Sequence, residues 1–423
     1  MEKILEKEQV KKGYKKSVMG LIPNNWNLIK LGDLGTTFSG ISGKSKEDFG
    51  FGQPYIPYKN IFFNSKVDVN FLDYVNIGNS ESQNEVQYGD IFFTVSSESA
   101  KEVGMSSVLL NEINGLYLNS FCFGFRLKDF NILDPFFASY LLRGEKIRQK
   151  IIELAQGSTR FNLSKSGILK LSIITPPLPE QQKIASILSI WDEAITATKS
   201  LIVQTKKRNQ GLAQQLLTGK TRLKGFERKW MFEKISSVTD RIKNSFVPEK
   251  EAFYQQIGIR SHGKGIFYKE LVTGESLGNK SVFWIEPNCF IVNIVFAWEQ
   301  AVAKTTENEV GMIASHRFPM FRPKSGILYL DYLLYFFKSP KGKDLLSLAS
   351  PGGAGRNKTL GQSDFLKLQI PVPEFNEQKA ISKVLETANQ ELKTLEQKLK
   401  TLQEQKKGLM QKLLTGEIRV KIK

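Results

Sequence analysis

A segment that returns at a fixed distance constrains this chain more than any other feature of it. Glu180-Gln181 comes back 197 residues later as Glu377-Gln378, Ile184 as Ile381, Leu188 as Leu385, Gly211-Leu212 as Gly408-Leu409 and Gln214 as Gln411. Leu216-Leu217-Thr218-Gly219 returns intact as Leu413-Leu414-Thr415-Gly416. An ungapped match of this length implies duplication, so the fold must contain one supersecondary unit twice. Weaker echoes pair Trp26 and Lys30-Leu31 with Trp230 and Lys234-Ile235, Glu102-Val103-Gly104-Met105 with Glu309-Val310-Gly311-Met312, and Asp134 with Asp331. Their offsets drift between 197 and 207, as loop insertions would cause.

The strict repeats read as long helices. Leu385, Ala388, Leu392, Leu395, Leu399, Leu402, Lys406, Leu409 and Leu413 alternate spacings of three and four, the pattern of a heptad seam. The matching seam, Leu188, Trp191, Ile195, Thr198, Ile202, Thr205, Asn209, Leu212 and Leu216, carries more polar interruptions. Each helix is expected to start after a proline-bearing stretch, Pro176-Pro177-Leu178-Pro179 or Pro371-Val372-Pro373, and to stop before Gly219 or Gly416. Two such helices are expected to pair with each other, each extending about 43 Å along its seam at ~1.5 Å per residue.

The remaining segments differ. Short aromatic and β-branched runs such as Tyr55-Ile56-Pro57-Tyr58 and Ile91-Phe92-Phe93-Thr94-Val95 alternate with Gly, Asn and Ser turns, which predicts mostly β structure. Each also holds a predicted helix, Phe136 to Leu142 or Tyr332 to Phe337, followed by a polar loop. The expected fold class is α+β: an N-terminal extension (1–20), a globular domain (21–175), a helical spacer (176–229), a second globular domain (230–372) and a second helical spacer (373–423).

Lys and Arg outnumber Asp and Glu by 60 to 42, giving a net charge of +18. A polyanion is the simplest partner for such a chain, and nucleic acid leads the candidates. Two cysteines and two histidines are too few for a disulfide framework or a zinc site of Cys and His ligands. The longest apolar run, Cys289 to Trp298, is too short to cross a bilayer, and no hydrophobic signal segment follows the lysine-rich start, so a cytoplasmic location without membrane contact is expected.

Catalytic motifs fail on inspection. Gly352-Gly353-Ala354-Gly355-Arg356-Asn357-Lys358-Thr359 has Asn357 where a phosphate-cradling loop needs its last glycine, and reads as a polar, basic loop. Asp134-Pro135-Phe136-Phe137 is an N-cap followed by proline at the first helical position. Glu377-Gln378-Lys379 and its copy Glu180-Gln181-Gln182 sit at helix starts and read as capping residues. His262 and His316 lie near no nucleophile pattern. No catalytic residue, metal ligand or cofactor is assigned.

Basic residues in turns are the better candidates for binding. Arg260-Ser261-His262-Gly263-Lys264-Gly265 brings two cations, a hydroxyl and an imidazole into one glycine-rich loop, chemistry suited to phosphates and guanine edges. Tyr58-Lys59-Asn60 holds the comparable place in the first domain, and Arg160, Arg356, Asn357 and Lys358 lie in polar loops ahead of the long helices. The expected DNA-contact set is therefore Tyr58, Lys59, Asn60, Arg160, Arg260, Ser261, His262, Lys264, Arg356, Asn357 and Lys358.

Across nearly its whole length the sequence resembles the specificity subunit of a type I restriction-modification enzyme. The resemblance rests on Tyr14-Lys15-Lys16 through Gly20-Leu21-Ile22-Pro23 and Trp26, on Pro176-Pro177-Leu178-Pro179-Glu180-Gln181-Gln182-Lys183-Ile184 with Leu216-Leu217-Thr218-Gly219, and on Pro373-Glu374-Phe375-Asn376-Glu377-Gln378 with Leu413-Leu414-Thr415-Gly416. It implies that the globular segments are target recognition domains, each reading one half of a bipartite site in double-stranded DNA, and that the two helices pair antiparallel as a spacer. It also implies docking of two methyltransferase (modification) subunits, which bind S-adenosyl methionine and methylate adenine, with restriction/translocase subunits as further partners. The chain itself would then be a non-catalytic subunit. The alternative reading is a coiled-coil adaptor that binds nucleic acid without sequence selectivity.

Overall fold

A computed structural model of the chain describes residues 11–422 except 79 and 353–357. They form two compact units, one made of the residues up to Ala197 and from Leu399 onward, the other of Thr198–Lys398. The division falls inside two helices of 40 residues each, Leu178–Leu217 and Phe375–Leu414. Both expected seams face inward, the first mostly buried and the second only half-buried from Leu392 to Leu409. Leu188, Ile195, Thr198, Ile202, Thr205, Asn209 and Leu216 are buried on the first helix, as are Leu385, Ala388 and Leu413 on the second.

In the first unit the central sheet runs Gly35–Ser39, Cys122–Leu127, Ile91–Thr94, Ser106–Val108, each strand antiparallel to its neighbour. The strand Ile91–Thr94 is buried along its full length because both faces are covered. Phe93, Phe123 and Phe125 face the helix Pro135–Leu141, where Asp134 caps the N-terminus by accepting from Phe137 N at 2.7 Å. Phe92 and Cys122 face the other way, onto Ile56 and Leu118 of a second sheet, in which Phe49–Ile56 pairs parallel with Tyr117–Leu118 and antiparallel with Asp73–Val75. Burial pushes the Cys122 thiol pKa up, so it behaves as a core apolar group.

The second unit repeats this plan. Its four-stranded sheet runs Thr239–Ile242, Met320–Pro323, Phe290–Val292, Val302–Lys304, and Phe253–Arg260 again lies in a second sheet, parallel to Ile313–Ser315 and in a hairpin with Gly265–Thr273. Each unit carries more helix than its sequence suggests: Glu145–Glu153 and Pro340–Leu348 follow the expected helices directly. In Glu145–Glu153 only Ile147 and Ile151, one turn apart, are buried, which is too few apolar positions to stand out among its charges.

Two of the weaker echoes change partner in three dimensions. Gln181 accepts from Asp134 N, and its copy Gln378 accepts from Tyr329 N, so Asp134 matches Tyr329 and not Asp331. Met105 precedes Ser106–Val108, whose counterpart is Val302–Lys304, so the Glu102–Met105 stretch does not match Glu309–Met312. Glu309 instead closes a capping box with Thr306 and accepts from the Tyr268 hydroxyl.

The sequence predicts helix caps at Glu180 and Glu377, whereas the fold makes them the buried centres of the two units. The Trp26 indole donates to Glu180 at 2.9 Å, and Arg419 donates to both its oxygens at 2.7 and 2.8 Å. Trp230 and Arg222 do the same for Glu377, at 3.0 Å and at 2.6 and 2.8 Å. The Leu-Leu-Thr-Gly repeat serves the same arrangement. Its leucines enter the cores, while Gly219 and Gly416 turn at positive φ where a Cβ would press on Trp230 or on Pro23 and Trp26. The Tyr14 hydroxyl, at the start of the strand Tyr14–Ser17, donates to the Gly416 carbonyl.

Removing one partner of a buried ion pair leaves the other charge desolvated, so Arg419→Ala is expected to cost about 3 kcal/mol in the unit that holds Glu180. Arg222→Ala should act in the same way on the unit that holds Glu377. Urea unfolding of the full chain checks this, and losses below about 1 kcal/mol in both variants would rank these pairs with ordinary surface bridges.

Candidate nucleic-acid interface

In the first unit, Tyr58, Lys59 and Asn60 open a short helix, Tyr58–Phe63, that follows directly on the strand Phe49–Ile56. Six residues cannot hold a helix by themselves, so its pose comes from tertiary ties. Tyr58 is half-buried and its hydroxyl donates to the Ser96 carbonyl at 2.9 Å. Burial raises the pKa of this hydroxyl, which keeps it a protonated donor. Asn60 is fully buried, donating to the carbonyls of Asp68 and Phe71 and accepting from Asp68 N, so it staples the following loop and has no face left for a ligand. Lys59 is exposed.

Arg160, one hundred residues away in sequence, reaches the same place. It is exposed and donates to the Ser96 hydroxyl at 3.2 Å, next to the two-residue strand Ser96–Ser97 that pairs with Phe161–Asn162. Tyr58, Arg160 and Ser96 therefore form one surface cluster in which a phenol, a guanidinium and hydroxyls stand together. Such a group can donate to phosphate oxygens or to base edges.

In the second unit the corresponding place after Phe253–Arg260 is a hairpin tip. His262 adopts φ of 61° and its amide donates to the Glu299 carbonyl at 2.7 Å, while the Ser261 hydroxyl donates to the Glu299 carboxylate at 2.8 Å. Arg260 is exposed and lies over the Phe267 ring, and His262 and Lys264 are exposed beside it. Lys358 comes to the same turn from the far side of the sequence, its ammonium 5.6 Å from the Trp298 ring centre. Arg356 and Asn357 lie outside the described residues. Thus the structure gathers Tyr58, Lys59 and Arg160 in one unit and Ser261, His262 and Lys358 around the Trp298-Glu299 turn in the other.

In the same unit as the first cluster, Lys66 donates to the Tyr140 hydroxyl at 2.8 Å, and Asp192 accepts from Tyr140 at 2.6 Å and from Lys406 at 2.5 Å. Burial would raise the Asp192 pKa, but Lys406, Tyr140 and Lys66 outweigh it and hold it below the usual carboxylate value. The repeat positions of Asp192 and Lys406 are Asn389 and Asn209, and Asn209 donates to the Ala388 carbonyl at 2.7 Å. At this one repeat position the first unit has an ion pair and the second an amide, although the second unit also pairs its helices through Arg208–Glu391 and Lys206–Glu396. Among the described residues no group of His, Cys, Asp or Glu is arranged to hold a metal ion, and no helix is long and apolar enough to cross a membrane.

The profile of the type I restriction modification DNA specificity domain matches this sequence twice, over residues 23–206 and 227–404. The chain belongs to that family. It is 28% identical over 436 residues to a Methanocaldococcus jannaschii protein assigned as the type I restriction enzyme MjaX specificity subunit, covering 96% of this chain and 97% of that one. A second specificity subunit from the same organism, of the enzyme MjaVIII, is 25% identical over 226 residues, half of each chain. Among solved structures, the HsdS subunit from Thermoanaerobacter tengcongensis shares the fold with a TM-score of 0.54 at 16% identity, covering 94% of this chain and 98% of that one. The type I restriction-modification S subunit from M. genitalium does so with a TM-score of 0.52 at 17% identity, over 94% and 97%.

For this member of the specificity-domain family, sequence reading missed Ser96 and Trp298. Neither lies in a basic loop, and only the fold brings them to Arg160 and Lys358. It also missed Arg222 and Arg419, although both stand at the constant repeat offset of 197. Because the Ser261 hydroxyl ties the hairpin tip to the Glu299 carboxylate, Ser261→Ala should loosen the tip by about 1–3 kcal/mol. Hydrogen exchange at the His262 amide reports this, with faster exchange expected and an unchanged rate contradicting it.

Proposed function

We propose that this chain is the sequence-reading subunit of a type I restriction-modification complex. Residues 21–175 read one half of a bipartite site in double-stranded DNA and residues 230–372 read the other. Residues 176–229 and 373–423 form the helical scaffold on which two methyltransferase subunits dock, with restriction/translocase subunits able to join. On this reading methyl transfer belongs to the partner chains, this chain performs no chemistry, and the assembly works where DNA is, in the cytoplasm.

The supporting observation is that two units of one topology each place exposed cations immediately after the same long strand, Lys59 after Phe49–Ile56 and Lys264 after Phe253–Arg260. Duplicated reading heads on unlike loops suit two different half-sites, since phosphate contacts position a protein and base contacts specify its site. The net charge of +18 supplies the long-range attraction.

Selection of the full chain, assembled with its modification subunits, against a randomised duplex library should enrich two sequence blocks separated by a fixed gap. Enrichment without any consensus would favour the unselective adaptor. Native mass measurement of the same assembly should show two modification subunits per specificity chain, and one copy would contradict the duplicated scaffold. Arg260→Ala should cost about 1–3 kcal/mol on the preferred site and little on others if the guanidinium reads a base. Equal weakening on all sequences would make Arg260 a phosphate contact.

A further inference from the structure

One position in the repeat carries a cation under the candidate recognition loop of both units. The register is set by the two glutamines: Gln181 donates to the Ile132 carbonyl and accepts from Asp134 N, as Gln378 does with Ile327 and Tyr329. In that register Tyr140 matches Tyr335, and Arg143 matches Lys338.

Arg143 is half-buried, and its partners are carbonyls and a thioether, with no carboxylate among them. Its Nη2 donates to the carbonyls of Ile61, Phe62 and Asn64 at 2.6, 3.1 and 2.9 Å, and its Nε to Ser106 at 2.6 Å. Burial and the nearby Arg148 push its pKa down to about 10. A cation placed at this desolvation cost closes the C-terminal end of the helix Tyr58–Phe63, whose last carbonyls have no further helical turn to bond. That helix is fixed by Tyr58 at its start, by Asn60 within its first turn and by Arg143 at its end. What it then presents outward is Lys59 and, one turn on, Phe63, which is 70% exposed. The planar fork matters, because Nη2 bonds the helix-end carbonyls while Nε bonds the Ser106 carbonyl, and a single ammonium cannot stand in both places.

In the second unit Gly263, at φ of 64°, sits so close to Lys338 that a Cβ there would come within 2.9 Å of the lysine stem. The turn is also tied around that helix end: Gly263 N donates to the Gln300 carbonyl, and the Gln300 amide donates to the carbonyls of Phe337 and Ser339. The reading loops differ between the units, a short helix against a hairpin tip, while the cation beneath them persists.

Resting on the function proposed above, we infer that Arg143 and Lys338 are positioning residues, each setting the pose of one recognition loop and so governing selectivity at one half-site without touching DNA. The test uses the full chain, assembled with its modification subunits, and the randomised duplex library. Arg143→Lys should flatten base preference in the block read by residues 21–175 by at least about tenfold, the size of one lost base contact, and leave the other block sharp. The sharp block shows that the chain is folded. Lys338→Ala, which removes the stem packed beside Gly263, should do the reverse. Both blocks unchanged in both variants, or the same block blurred by both, would overturn the inference. Absence of a two-block consensus with the unaltered chain would overturn the functional reading itself, and this inference with it.

Discussion

Each unit of this chain is assembled around a carboxylate withdrawn from water, and such a group is tolerated only when charge and hydrogen bonds compensate it. Glu180 is closed by Trp26 and Arg419, and Glu377 by Trp230 and Arg222. The three members of each cluster come from three different stretches of chain: the entry strand region, the start of one long helix and the segment after the end of a long helix. One interaction therefore fixes where the globular part begins, where one helix starts and where the other stops. The neighbouring glutamines extend the clamp, each bonding the chain ahead of an earlier helix, Pro135–Leu141 or Leu330–Lys338, and the proline stretch before its own.

With the frame held in this way, the loops above it are free to differ. Both units put an exposed cation just after the same long strand, yet one shapes that place as a six-residue helix and the other as a β-turn with His262 in the left-handed region. The supports differ too, an Asp192–Lys406 ion pair in one unit and Asn209 on a backbone carbonyl in the other. A repeated frame with divergent loops is what a reader of two unlike half-sites requires, because specificity sits in side chains that reach base edges while the frame need only hold them still.

The long helices, their ends and their seams were legible in the sequence because an apolar period alternating three and four, kept up through most of forty residues, matches the turn of a helix and no strand. The α+β class was legible for the same kind of reason, from short β runs and turn residues. Glu180 and Glu377 were legible as repeated but not as buried, since a glutamate at a helix start is far more often a solvated cap than the centre of a core. Asn60 was misjudged as a surface contact for a related reason: a polar residue in a turn context gives no sign that four hydrogen bonds enclose it. The meeting of Arg160 with Tyr58 at Ser96 depends on strand pairing across the unit and leaves no local trace in the sequence.

On the proposed function, the two units read their half-sites independently from equivalent frames. Replacing residues 21–175 with the matching segment of another family member, and mapping modified sites in cellular DNA by methylation-aware sequencing, tests it most directly. One half of the target should change to that of the donor while the other half is retained. A change in both halves, or in neither, would contradict it.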